Sequence, residues 1–232
     1  MKKSARHWIV AMDGPAGVGK STVGQLMAKR LKYRFINTGE MYRALTWKAL
    51  KEKVNVTDSA AVVRLAKRLK WEFKPADGGV TLQTYIDGEC VAGRIRDEKV
   101  SQSSSAVAGI PEVRRILRNL QRRLGKDGGI VMEGRDITTN VFPKAEIKVY
   151  LDASIDERAT RRYRQLQSAG HKVSLDRIKA DILARDRRDL ERRINPLRQA
   201  EDAIVIDSTH LSLREVADRI LEHIRAKRNG NS

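Results

Sequence analysis

Gly14-Pro15-Ala16-Gly17-Val18-Gly19-Lys20-Ser21-Thr22 fits the phosphate-binding pattern G-x-x-x-x-G-K-[ST] at every fixed position. Before it runs an apolar stretch, Trp8 to Met12, and after it Val23, Leu26, Met27 and Leu31 recur at helical spacing. Strand, glycine loop and helix thus follow one another in the order that phosphate binding needs. Glycine at positions 14, 17 and 19 keeps side chains out of the loop, so backbone N–H groups can reach a polyphosphate, and the positive end of the following helix points at the same anion. Lys20 can reach the terminal phosphates, and Ser21 offers a hydroxyl to Mg²⁺, the ion that neutralises the β- and γ-oxygens. The pattern implies a nucleoside triphosphate bound by residues 14–22.

Apolar, β-rich segments recur at Trp8 to Met12, Arg34 to Ile36, Gly129 to Met132, Ile147 to Leu151 and Ala203 to Ile206, with helical patterns between most of them. Segments that are hydrophobic throughout suit parallel strands buried on both faces. The expected fold is α/β, a five-stranded parallel sheet wrapped by helices. Ligands in such folds bind beyond the carboxyl ends of the strands, where the glycine loop, Asn37-Thr38-Gly39 and Gly134-Arg135-Asp136 all fall. Between Lys70 and Gly93 the pattern changes to short β-rich runs broken by Asp77-Gly-Gly and Asp87-Gly-Glu, which predicts a small inserted antiparallel β-element. Ser154-x-x-Glu157 and Ser212-x-x-Glu215 fit capping boxes, Pro111 suits a first helical turn and Gly170 a helix end. Ala226 to Ser232 reads as a frayed tail.

A chain of 232 residues has room for one α/β core with an appended segment. Its hydrophobic fraction is 41%, and no apolar run approaches the ~18 residues that span a membrane. Trp8 to Met12 is too short for a secretory segment and leads into Asp13. Cys90 is the one cysteine, and the four histidines lack metal-ligand spacing, so a reducing, cytoplasmic setting is expected. A net charge of +18 calls for an anionic partner, either nucleic acid or a small polyanion held by many arginines. From Arg158 to Arg198 there are 13 Lys or Arg against 5 Asp or Glu, and a second excess lies on Arg114, Arg115, Arg118, Arg122, Arg123 and Lys126. A solvated helix face is the plain alternative for many of these side chains.

Arg185, Asp189 and Arg192 are spaced i, i+4, i+7, which places all three on one face of a helix expected to start near Ser174 and to stop before Asn195-Pro196. That face can be a solvent-exposed salt-bridge ladder, or two guanidinium clamps for a moving phosphate with a carboxylate for ribose hydroxyls. Gly134-Arg135-Asp136 follows Ile130 to Glu133 directly, so an arginine and a carboxylate emerge into the ligand crevice. Thr38-Gly39-x-x-Tyr42-Arg43 sets a helix N-terminus, a hydroxyl and an arginine together, as suits an acceptor phosphate.

These stretches, D-G-P-A-G-V-G-K-S-T, N-T-G-E-M-Y-R, E-G-R-D-I-T-T-N-V-F-P and R-D-R-R-D-L-E-R, together resemble bacterial cytidylate kinase, from about Trp8 to about Ile224. The resemblance implies a cytoplasmic, monomeric nucleoside monophosphate kinase that uses ATP, with Mg²⁺, to phosphorylate CMP or dCMP, without nucleic-acid or membrane partners. It implies one domain: a core of about 7–57, 127–153 and 199–226, a monophosphate-binding insert of about 58–126 holding a β-element at about 70–93, and a short helical lid of about 154–198. By position, Thr38 and Arg43 would hold the CMP phosphate side; Ser105, Arg114 and Asp136 would face cytosine. Arg135, Arg185 and Arg192 would surround phosphate and Asp189 would contact ribose, while Lys20, Arg185 and Arg192 carry the transfer. Arg158, Arg161 and Arg162 are the lid candidates. Thr38 and Glu133 stand where family members often carry Ser and Asp, and both keep the functional group. The alternatives are another small-molecule P-loop kinase, such as one for a different nucleotide or for shikimate, and a nucleic-acid-binding ATPase. Against the latter stands an aromatic content of only 5%.

Overall fold

The structure, a computed structural model, describes residues 7–76, 79–168 and 170–230. Strands β1 (Ile9–Asp13), β2 (Arg34–Asn37) and β6 (Ile130–Glu133) lie side by side with β7 (Ile147–Asp152) and β8 (Ile204–Asp207) in one sheet of order β2-β6-β1-β7-β8, every pairing parallel. All five segments expected from their apolar runs are strands of this sheet. β1, β6 and β7 are covered on both faces, as continuous hydrophobic sequence requires, whereas β8 is an edge strand that leaves Val205 exposed. The register aligns Met12 and Asn37 with Glu133 and Asp13 with Tyr150, so the loops after β1, β2, β6 and β7 open at the same end.

Helix α1 (Lys20–Leu31) returns from the glycine loop and packs Val23, Met27 and Ala28 into a core shared with Val10, Met12, Phe35 and Val149 and with Val216, Ala217 and Ile220 of α8 (Leu213–Asn229). After β2 the chain forms α2 (Thr38–Lys51) and α3 (Ser59–Arg68). The inserted antiparallel sheet follows: β3 (Trp71–Pro75), β4 (Leu82–Ile86) and β5 (Glu89–Cys90). Asp77 and Gly78 of its expected turn lie outside the described residues. Helices α4 (Glu98–Gly109) and α5 (Pro111–Gly125), with Pro111 at the first turn as expected, close a second hydrophobic cluster with α2 and α3 around Met41, Leu45, Leu65, Val107 and Leu117. A third, small cluster of Ala159, Ile178 and Ile182 joins α6 (Ile155–Ser168) to α7 (Leu175–Glu191).

Four local expectations are corrected. The box at Ser212 is reciprocal, but at Ser154 only half forms: the hydroxyl accepts from Glu157 N at 3.3 Å, while the Glu157 carboxylate accepts from Arg161 and the Ser154 N–H donates to Thr209 Oγ1. Arg192 leaves the face it was expected to share, because α7 ends at Glu191 and Arg192 adopts extended ψ, its guanidinium capping Ile194 O and Asn195 O. The expected frayed tail is helical through Asn229, since Ile224 is buried and the last turns continue α8. Finally, the edge position of β8 replaces two-sided burial for that strand.

Gly24 lets α1 come close to β2, for a Cβ there would sit 2.4 Å from the ring of Phe35, itself buried. Gly24→Ala gains roughly 1 kcal/mol of helix propensity against roughly 1–3 kcal/mol of overpacking. The variant is expected to lose about 1 kcal/mol of stability in urea unfolding; an unchanged or higher midpoint would show that the ring can step aside.

Candidate active site

The glycine loop leaves β1 at Gly14, whose φ is +147° and whose absent Cβ would fall 2.0 Å from Leu151 O of β7. Only glycine permits that passage. Gly19, at φ +95°, then turns the chain into α1. Lys20 is buried and folds its ammonium back on the loop, donating to Gly14 O at 2.8 Å and Pro15 O at 2.5 Å. Ser21 donates from Oγ to Glu133 Oε1, and Asn37 Nδ2 donates to Ser21 Oγ at 3.3 Å. Serine and carboxylate therefore meet where strand β6 ends, the place that an acid after a hydrophobic strand occupies at a Mg²⁺ site. Among the described residues no group of three or more His, Cys, Asp or Glu could hold a metal unaided. A hydroxyl and one carboxylate fit Mg²⁺ that keeps water and takes its other oxygens from a bound phosphate chain.

Around Lys20 the cations crowd together. Arg43, Arg135 and Arg185 lie close enough to oppose one another's charge, Arg162 opposes Arg43, and Arg135 and Arg185 oppose Lys20. Burial first, then Arg135 and Arg43, bring Arg185 down to about 10. Burial, with Arg135 beside it, pulls the Lys20 ammonium well below the lysine range. Acids answer only part of this charge. Asp189 accepts from Arg135 Nε at 2.8 Å; burial works against its ionisation, yet Arg135 and Arg185 hold it below the usual carboxylate range. Burial pushes Glu133 up against the pull of Lys20 and Ser21, and it raises Glu40 as well. Asp189 thus pairs across the crevice with Arg135, not along its own helix with Arg185 and Arg192 as in a surface ladder.

A second group lies further along. Arg114 is buried, donates to Asp136 Oδ1 at 2.7 Å and to Ala108 O at 3.1 Å, and lies over the ring of Tyr42 at 5.4 Å. Its Nε has no hydrogen-bond partner among the described residues. Arg192 interacts electrostatically with Arg114, Asp136 and Asp189, so it faces this group although it has left α7. Asp136 opens a π-helical turn, Ile137–Val141, in which Val141 N and Phe142 N donate five residues back to Asp136 O and Ile137 O. Asp13, fully buried, fixes that turn by accepting from Ile137 N, Thr138 N and Thr138 Oγ1 at 2.9, 2.7 and 2.6 Å. Burial dominates its hydrogen bonds and raises Asp13 to about 6.

Other expected residues are placed differently. Thr38 is buried and donates to Glu133 O at 2.8 Å, which ties the start of α2 to β6. Arg43 reaches the cation group while donating to Ser101 Oγ at 2.6 Å and Ile95 O at 3.2 Å. Ser105 is half-buried on α4, and its hydroxyl makes no hydrogen bond among the described residues. Of the three lid candidates, only Arg162 faces the cations. Arg158 is buried behind the loop, bound to Asp186, Ala16 O and Ala153 O, and Arg161 binds Ser208 and Val18 O. Both brace the loop because their helix runs past it. Asp186, which the sequence reading passed over, accepts from Ala16 N at 3.0 Å and links α7 to the glycine loop. Asp13 was equally overlooked. One signal was present in each case: an acid inside an apolar strand, and a second acid beside Arg185.

A glycine loop opening onto cations gathered from several segments is what phosphoryl transfer between two anionic substrates requires, so fold and site define a P-loop kinase. Residues 10–226 match the family model described as cytidylate kinase, and the chain belongs to that family. It is 46% identical over 218 residues to the cytidylate kinase of Geobacillus sp. (strain WCH70), and 43% identical over 218 residues to that of Bacillus subtilis (strain 168), covering 94% of this chain and 96% of each relative. A crystal structure of an uncharacterized protein from Eubacterium ventriosum ATCC 27560 shares the fold, with a TM-score of 0.51 at 12% identity over 95% of this chain and 99% of that one.

The lowered pKa of Lys20 has a sign that can be measured. A polyphosphate bound at Lys20 would restore the charged form, so nucleotide binding above neutral pH is expected to take up a proton. At pH 8, binding enthalpies of ATP in buffers of different ionisation heat are expected to show uptake of up to about one proton. Lys20→Arg, which stays charged throughout, is expected to abolish it; zero uptake by the unchanged protein contradicts the assignment.

Proposed function

We propose that the protein transfers the γ-phosphoryl group of ATP to CMP or dCMP, giving ADP and CDP or dCDP. The observation that carries this reading is the crowding of Lys20, Arg43, Arg135, Arg162 and Arg185, whose mutual repulsion is relieved by anions from two sides. The triphosphate lies on residues 14–22 with Lys20 swung from the Gly14 and Pro15 carbonyls to its terminal phosphates. The acceptor phosphate lies toward Arg43 and the N-terminus of α2, which Thr38 anchors. Arg135 and Arg185 surround the group in transfer, Arg192 reaches toward it from the side of Arg114, Asp136 and Asp189, and Arg162 approaches from α6. Mg²⁺ would be held by Ser21 and Glu133 together with the triphosphate, and would supply charge neutralisation.

No general base is needed, because the acceptor oxygen of a nucleoside monophosphate is already ionised near neutral pH. Positioning and electrostatic stabilisation supply the catalysis. Asp189 holds the ribose hydroxyls while orienting Arg135. At the far end Asp136 accepts from the N4 amino group of cytosine, and Arg114 donates to N3 and O2; the unpartnered Nε of Arg114 supports this. Ser105 completes the base contacts. Residues 58–126 act as the monophosphate-binding region and 154–198 as the lid, which closes to exclude water. The protein works as a cytoplasmic monomer; no helix among the described residues is long and apolar enough to cross a membrane.

A panel of acceptors offered with ATP tests the reading. CMP and dCMP are expected to turn over and shikimate not at all. UMP, which presents a carbonyl to Asp136 and an N–H to Arg114, is expected to be poorer by about 100-fold or more in kcat/KM, two mismatched groups at ~1–3 kcal/mol each. Asp136→Asn narrows that gap; equal use of CMP and UMP by the unchanged protein refutes it. Lys20→Ala and Arg192→Ala are each expected to lower kcat by about 100-fold, and near-normal turnover removes the residue concerned from the mechanism.

A further inference from the structure

Three arginines of α5, at positions 114, 118 and 122, recur every fourth residue and so form one column along the helix. The sequence shows them as part of a basic patch. In the structure all three grip the π-helical turn: Arg114 binds the Asp136 carboxylate, Arg118 Nη1 donates to Asn140 Oδ1 at 3.2 Å, and Arg122 donates to Asn140 O at 2.7 Å and Val141 O at 2.9 Å. The Asn140 carboxamide closes the set by donating from Nδ2 to Asp136 Oδ2 at 2.8 Å.

The direction of that carboxamide is dictated by chemistry. A guanidinium can only donate, so Asn140 must turn its oxygen to Arg118 and its NH₂ to Asp136; the flipped amide would set donor against donor and acceptor against acceptor. Asp136 is thereby held at both oxygens, Oδ1 by a cation and Oδ2 by a neutral donor. Its rotation is fixed, and its remaining lone pairs can only accept. The other groups that act on it are Tyr42 from α2, Arg192 after α7 and Asp13 from β1, and none of these donates a hydrogen bond to its second oxygen.

We infer that Asn140 is a positioning residue for base selection. Oriented by Arg118, it aims the Asp136 carboxylate so that the site accepts from an exocyclic amino group and repels a carbonyl oxygen in the same place. This rests on the role proposed above for Asp136. A neutral carboxamide suits the task better than a second cation. It fixes the carboxylate without adding to the positive charge of Arg114 and Arg192, and so leaves Asp136 able to attract a weak donor.

The test is steady-state kinetics of Asn140→Leu, Asn140→Asp and Arg118→Met with CMP, UMP and ATP, alongside thermal melting. Asn140→Leu is expected to raise KM for CMP and to lower the CMP-to-UMP ratio of kcat/KM by about tenfold, the worth of one hydrogen bond to a charged group. Asn140→Asp, which turns donor into acceptor, is expected to lower it further, and Arg118→Met less. KM for ATP stays unchanged in all three. A CMP-to-UMP ratio unchanged in the variants that melt like the parent overturns the inference, as does a parallel rise of both KM values, which a loosened fold produces. Calorimetry separates the two levels: a parent protein indifferent to CMP overturns the proposed function together with this inference, whereas a parent that binds CMP, with variants of unchanged selectivity, overturns only the role of Asn140.

Discussion

Like charges held close together organise this molecule. Lys20, Arg43, Arg135 and Arg185 come from four different segments of chain, and each lowers the tendency of another to stay protonated. Folding alone gives no reason to collect them, since an underpaired buried cation costs several kcal/mol in desolvation. Asp189, Glu133 and Glu40 offset part of that cost from inside the crevice. In the proposed function the rest is offset when substrates bring phosphate, which would link binding, protonation and catalysis in one site.

The same constraint accounts for how the glycine loop is supported. A loop lined by backbone N–H groups has no side chains with which to hold itself, so its shape depends on what stands behind it. Asp186 takes the Ala16 N–H, Arg158 the Ala16 carbonyl, and Ser208 and Arg161 the Val18 carbonyl. Three of these four residues belong to α6 and α7, which share only a small apolar cluster of their own. Their attachment to the core at this point is polar. A polar, hydrogen-bonded junction can be exchanged for bonds to water and phosphate more readily than an apolar one, which suits the lid role proposed for this region.

The large positive charge acquires a partly internal meaning. Arg114, Arg118 and Arg122 bind one turn of backbone and two side chains, and Arg158 and Arg161 bind loop carbonyls. These guanidiniums act as multidentate struts, for which arginine is suited by its five donors and fixed planar fork. Counting them as a surface for a polyanion would misassign them.

How much of this was written in the chain can be argued residue by residue. The glycine loop, the five strands of the main sheet, the inserted β-element and the run after Glu133 were legible because each depends on local chemistry: glycine where φ is positive, unbroken apolar runs where both faces are covered, short β-rich runs broken by Asp-Gly turns. Spacing also placed Arg185 and Asp189 on one turn of helix. It could not show that Asp189 pairs with Arg135, that Arg192 leaves the helix to face Arg114, or that Arg158 and Arg161 turn toward the loop. Nor could it show that Asp13 and Asn140 hold the turn that carries Asp136. Those partners are 124 residues apart in one case and four in the other, so sequence separation was not the obstacle. A charged side chain reaches as far as its flexible stem allows, and which of several nearby counter-charges it takes is decided by burial and by competition among them. Only the assembled tertiary structure sets both.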